Sequence, residues 1–128
     1  MTFQTPLNRV LRLGSAKHGL GDWWWQRLTA IALVPLMLWL VIDLVSHLGD
    51  SHAAIVAWMQ SPVVAALWIM SVTALVYHGQ LGLQVIIEDY VHTESLKLAS
   101  LIVLKFIAVL LALTAVVSIL RIAMGGGQ

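Results

Sequence analysis

The residues of this chain that could do chemistry gather at positions 77–90. There a histidine, His78, stands in an otherwise apolar segment, and a carboxylate and a phenol, Asp89 and Tyr90, close it. Ionisable groups at membrane depth are costly, so they are kept facing a cavity, a partner or a cofactor. At about 100° per residue on a helix, His78, Gly82, Val85 and Asp89 fall on one stripe. The stripe has a ligand-type side chain in the apolar zone and a carboxylate at its watery end. Between them lies a glycine, past which a flat group or another backbone can come close.

Each of these side chains has a specific and a plain reading. Neutral imidazole is a good axial ligand for haem iron, and a histidine bonded to a hydroxyl or carbonyl across a helix interface is the alternative. One helix rarely supplies both axial ligands, so a haem with two histidines would need a second chain. Ser71 and Ala74 lie above His78 on nearly the same face and leave room either for a porphyrin or for close helix packing. Tyr90 can donate a hydrogen bond to a quinone carbonyl, and Asp89 can pass a proton or orient water. Equally, the two are an interfacial aromatic beside a helix-ending acid. The guanidinium of Arg27 matches the oxygens of a haem propionate or a quinone headgroup, or simply anchors the chain at the membrane surface. Asp43 and His47, one turn apart, are expected to hydrogen-bond each other. Lys105, several turns into an apolar run, is expected to face lipid or another subunit. His78, Gln80, Gln84 and Ser71 together are more polar groups than one small chain is expected to satisfy inside a membrane.

The elements that must position these groups follow from composition. Of 128 residues, 60% are hydrophobic and only 10% are charged, with a mean hydropathy of +0.92. A soluble domain has about a quarter of its residues charged, so the class is integral membrane protein. A net charge of +1 gives no case for nucleic acid. The absence of cysteine excludes disulfides, thiolate metal sites and an iron–sulfur cluster held by this chain. Six tryptophans suit interfacial anchoring.

Three spans are expected, over residues 28–48, 62–87 and 96–123, each at least as long as the ~20 residues that cross a bilayer core. Before them, residues 1–27 form a basic arm that ends in the aromatic segment Trp23, Trp24 and Trp25. After them, residues 125–128 are a glycine tail, and residues 28–124 make up the anchor domain. The first span is read as a retained helix rather than a signal peptide, with a mild kink at Pro35. Pro62 suits the first turn of a helix, Ser95 can cap the third span, and Trp58 and Met59 suggest that part of the first loop lies along the interface. Arg9, Arg12, Lys17 and Arg27 precede the first span, the first loop has no Lys or Arg, and Lys97 follows the second span. Positive-inside bias therefore places the amino terminus and the Asp89–Tyr90 end inside.

Taken together, these pieces resemble a known family. His78-x-x-x-Gly82 followed by Asp89-Tyr90 looks like the second span of the D-chain membrane anchors of succinate dehydrogenase, respiratory complex II. The run from Asp22 through Arg27 to Thr29 and Ala30 is similar to the family's entry into its first span, most of all in alphaproteobacterial members. The resemblance implies an all-α membrane protein whose three transmembrane helices are half of a heterodimeric helix bundle in the bacterial inner membrane, amino terminus cytoplasmic. It implies a four-chain enzyme, in which a flavoprotein subunit oxidises succinate and an iron–sulfur subunit relays electrons. This chain and a C-chain cytochrome b anchor would share haem b and form the ubiquinone site. By this resemblance His78 is one axial haem ligand, Tyr90 and Asp89 belong to the quinone site, Arg27 lies near the propionates or the quinone, and Ser71 and Gly82 pack against the haem. Asp43 and Lys105 match none of the family's motifs. A fumarate reductase anchor, a haem-free scaffold and a small proton-coupled transporter using Asp43, His47 and His78 are the competing readings.

Overall fold

A computed structural model describes residues 15–125, with side chains from Leu20 onward. The expected basic arm up to residue 14 and the last three residues of the tail lie outside the described residues. Within them are four helices and no strand: α1 (Ser15–Ser46), α2 (His52–Met59), α3 (Pro62–Tyr90) and α4 (Glu94–Ala123). α1, α3 and α4 are each long and apolar enough to cross a membrane, with mean hydropathy over 18 residues of 2.4, 1.5 and 2.7. The lowest value belongs to α3, the helix that carries His78, Gln80 and Gln84. The chain is thus an all-α membrane protein with three transmembrane helices.

The helix ends follow local chemistry. α1 passes unbroken through Pro35, which lies on an exposed face. It stops at a turn in which Gly49 has φ +94°, a left-handed conformation that glycine adopts without steric cost. α2 is capped by Ser51, whose hydroxyl accepts from the amide of Ala54 at 3.3 Å. Pro62 occupies the first turn of α3, as the sequence suggests. α4 is capped at Thr93 rather than at Ser95, and Glu94 in its first turn and Arg121 in its last complement the helix dipole. The expected start of the first span at residue 28 is no helix boundary. Asp22 and the three tryptophans are already helical, so the aromatic segment rides on α1 instead of preceding it.

The outer helices α1 and α4 both pack on α3 and not on each other, while α2 closes the ends of α3 and α4. The spans therefore form an open layer with α3 in the middle. Thr29 and Trp39 are ten positions apart, as are Trp68 and His78. Contacts between Thr29 and His78 and between Trp39 and Trp68 thus put α1 and α3 antiparallel in one continuous register. The small apolar core lies at the far end from Tyr90, where Met59, Ala65 and Ile119 are buried beneath Trp58, Trp68 and Ile122. Elsewhere most large apolar side chains face outward, as they must where lipid rather than water is the solvent.

Candidate functional site

His78 is twelve residues from the end of α3, which places it about 18 Å from that end at 1.5 Å per residue. Its Nδ1 lies 3.0 Å from Oγ1 of Thr29 on α1. That hydroxyl also lies 2.7 Å from the carbonyl of Trp25 and 3.1 Å from that of Gln26. Among the described residues no hydrogen bond engages Nε2 of His78. One residue before the histidine, Tyr77 meets the ring of Trp25 edge-on at 6.3 Å, so the same turn of α1 is held twice. Thr29 is the functional candidate that sequence reasoning passed over. It appears there only as part of the Thr-Ala pair after Arg27, since the register between two helices is not written in either one.

Gly82 lies one turn beyond His78. A Cβ built on Gly82 or on Gly79 meets nothing within 4 Å, so both stand beside open space. Ser71 does not share that space. It is 2% exposed and donates to the carbonyl of Leu67 at 2.7 Å, which leaves it no free surface for a flat ligand. On α3 a ladder of side chains climbs from the polar end. Gln80 donates to Gln84 at 3.2 Å, and Gln84 donates to Glu88 at 2.9 Å. The polar groups expected to need a second chain thus find partners within this one: Thr29 for His78, the ladder for the glutamines and a helix carbonyl for Ser71.

At the polar end a cleft of about 260 Å³ opens between α1 and α3, lined by Asp22, Trp23 and Gln26 on one side and by Leu81, Gln84, Val85 and Glu88 on the other. Asp89 and Tyr90 are not among its walls. Both are exposed, and Tyr90 is 78% so, with no hydrogen bond to its phenol oxygen among the described residues. Arg27 is also exposed. Its guanidinium sits 5.0 Å from the ring of Trp23, a cation–π contact. Arg27 is two positions before Thr29, so it points about 200° round the helix from the face that meets His78. Within this chain, then, Arg27 is turned away from the His78 face of α1, and Asp89 and Tyr90 stand exposed about 18 Å from His78 at the end of α3.

The remaining ionisable groups lie elsewhere. Asp43 is 8% exposed, and its Oδ2 has no hydrogen-bond partner among the described residues. The expected bond between Asp43 and His47 goes instead to the backbone: Nδ1 of His47 is 2.9 Å from the carbonyl of Asp43 and 3.9 Å from its Oδ1. The His47 ring packs on Trp58 at 4.3 Å. Thr29 and Asp43 are fourteen residues apart on α1, so the His78 contact lies about 21 Å along the helix from Asp43 and the two do not form one relay. Lys105 is exposed at a groove of about 280 Å³ between α3 and α4, with Tyr77 and Gln80 across from it.

Among the described residues no three His, Asp or Glu side chains converge on a metal position. A haem iron asks only one nitrogen of a chain, and Nε2 of His78, which has no hydrogen bond among the described residues and lies one turn from the open space at Gly82, would fit that need.

Comparison with known proteins identifies the family. The family model described as succinate dehydrogenase/fumarate reductase transmembrane subunit matches residues 1–112. A succinate dehydrogenase hydrophobic membrane anchor subunit of Rickettsia bellii (strain RML369-C) is 31% identical over 118 residues, 91% of this chain and 94% of that protein. The succinate dehydrogenase membrane anchor subunit of Reclinomonas americana is 32% identical over 105 residues, 79% and 87% of the two chains. That of Porphyra purpurea is 30% identical over 109 residues, 85% and 90% of the two chains. No solved structure matches significantly. With its three apolar spans and a match over most of its length, the chain belongs to the succinate dehydrogenase/fumarate reductase transmembrane subunit family, as a multi-pass membrane anchor subunit.

Proposed function

We propose that this anchor subunit holds a b-type haem jointly with a C-chain cytochrome b anchor and forms part of the site where ubiquinone is reduced. The observation that carries the reading is His78, an imidazole set in a membrane-spanning helix, held at Nδ1 and unengaged at Nε2. When bound, haem b supplies a one-electron store within the membrane. His78 would hold the iron through Nε2, and a side chain of the C-chain anchor would complete its ligation. Gly82 leaves room for the macrocycle or for the partner's helix. Ser71 stays with the helix packing of its own chain.

The open layer of spans agrees with a chain that is half of a larger bundle. α1 and α4 leave each other uncovered, and lipid and the C-chain anchor share the outward faces. Arg27, turned away from the His78 face, serves a propionate or a quinone headgroup held from the partner's side. Tyr90 donates a hydrogen bond to a quinone carbonyl, and Asp89 beside it orients water and passes protons from the aqueous phase. The cationic residues of the sequence put that end on the cytoplasmic side of the bacterial inner membrane, where the iron–sulfur and flavoprotein subunits dock.

The test is a reduced-minus-oxidised spectrum of the purified complex, with and without His78→Leu. The expected result is a b-type signal that is lost or shifted in the variant, while succinate oxidation with a soluble acceptor continues. A b-haem spectrum unchanged by the substitution would move the ligand elsewhere, with His47 or His92 as the next candidates.

A further inference from the structure

We propose that Thr29 is the positioning residue of His78: it selects the imidazole tautomer with the proton on Nδ1 and so leaves Nε2 with the lone pair that coordinates iron. This deepens the haem-ligand reading and rests on it.

The tautomer follows from a count of hydrogens. Oγ1 of Thr29 has three polar neighbours: the Trp25 carbonyl at 2.7 Å, the Gln26 carbonyl at 3.1 Å and Nδ1 of His78 at 3.0 Å. A hydroxyl has one hydrogen to give and two lone pairs with which to accept. Carbonyl oxygens only accept, so the hydrogen goes to the nearer of them, the one four residues back along the helix. Toward His78 the hydroxyl can then only accept, and Nδ1 must be the donor. A neutral imidazole carries a single N–H, so Nε2 is bare. Were the hydroxyl to donate to Nδ1 instead, the proton would sit on Nε2 and that nitrogen could not bind a metal.

The position is also fixed mechanically. Threonine is stiff at χ1 in a helix, and its bond to the carbonyl of the preceding turn holds one rotamer. The same turn of α1 is docked on the neighbouring residue of α3 through the Trp25–Tyr77 ring pair. Metal-bound histidines commonly send their second N–H to a carbonyl, carboxylate or water, which fixes the ring and strengthens the ligand nitrogen. Here a hydroxyl takes that part, polarised in turn by the helix carbonyl behind it. An acceptor at Nδ1–H makes the imidazole a better electron donor, which favours ferric over ferrous iron. Its loss moves the haem potential upward.

The experiment compares Thr29→Val, which keeps the shape and removes the oxygen, with Thr29→Ser, which keeps the oxygen, both in the assembled complex. Haem per complex, the midpoint potential at fixed pH and the paramagnetic resonance of the ferric haem are read. The Val variant should shift the ferric/ferrous balance about threefold or more toward ferrous, a rise of ~30 mV at 59 mV per tenfold for one electron, with altered ferric signals. The Ser variant should behave as the parent. Should Val lose the haem altogether, return of both content and potential in Ser supports the proposal, whereas loss in both variants overturns it. An unchanged potential and resonance in Val also overturns it. A parent complex without b-type haem, or a His78→Leu complex with an intact spectrum, overturns the ligand reading itself, and it shows in those samples rather than in the Thr29 variants.

Discussion

Replacing Tyr90 by Phe deletes one hydroxyl and keeps the ring. Tyr90 is the last residue of α3, and 78% of it is exposed. No described residue bonds its phenol oxygen, so within this chain the change breaks nothing. Its effect on stability belongs with surface substitutions, within ~0.5 kcal/mol. The effect on quinone reduction is of another size. A lost hydrogen bond costs about 0.5–1.5 kcal/mol, and up to ~3 kcal/mol where the acceptor is left unpaired in a site closed to water. At 1.36 kcal/mol per decade, kcat/KM for a ubiquinone analogue should fall about tenfold, and toward a hundredfold in the closed case. The assay is the ratio of succinate-driven quinone reduction to succinate oxidation with a soluble acceptor, which cancels enzyme content. Haem content and thermal inactivation are followed on the same samples. An unchanged ratio would reduce Tyr90 to an interfacial aromatic and leave the quinone to the partner chains. A fall in both activities together would refute the claim that the fold has no use for the hydroxyl.

Three further outcomes are expected. Gly82→Leu adds a side chain where nothing in this chain stands within reach of a Cβ, and in isolation it gains about 1 kcal/mol of helix propensity. A loss of haem or of assembly on gel filtration would show that another group fills that space, and normal assembly would show that none does. Gln84→Leu removes the acceptor of Gln80 and the donor to Glu88. It should lower the stability of the complex by roughly 1–2 kcal/mol in thermal inactivation, with partial recovery when Gln80 is also made Leu. Reporter fusions at Asp50 and after Met124 should both read external, and an internal signal at Asp50 would invert the orientation.

Much of this architecture is legible in the sequence, because a bilayer asks for few things. Apolar length shows the three spans, and Pro62 marks the start of α3 through its fixed φ and missing N–H. α1 reaches further back than the hydropathy suggests. Gly19, Gly21 and three tryptophans look like an interfacial arm, yet nothing in them forbids a helix once the span behind them has nucleated one. His78 is visible as an anomaly, a polar ring in an apolar run, but its partner is not. Thr29 and His78 meet through the register of two helices, which side-chain contacts decide and no single-helix period encodes. The same limit explains Ser71. It shares a stripe with His78, but packing leaves it 2% exposed with its hydroxyl on the carbonyl of Leu67, and how closely neighbours cover a stripe position is not written in the period of one helix. Asp89 and Tyr90 are recognisable by type and place, and their exposure says only that whatever they serve comes from outside this chain.

The single layer of helices has a mechanical meaning. Among the described residues α1 and α4 meet α3 and not each other along the spans. α2 bridges them only at the end far from Tyr90, where it packs on α4 and its Trp58 meets His47. Strain at the Tyr90 end of α1 therefore reaches α4 by bending α3 or by way of that far end. Perturbations at the Thr29–His78 contact and at the Ile119–Ala65 contact should accordingly act as independent events whose energies add. A closed bundle would spread such strain over every pair of helices. Here α3 carries the site and, among the described residues, most of the packing of both outer spans, so anything that grips its two ends steadies them together.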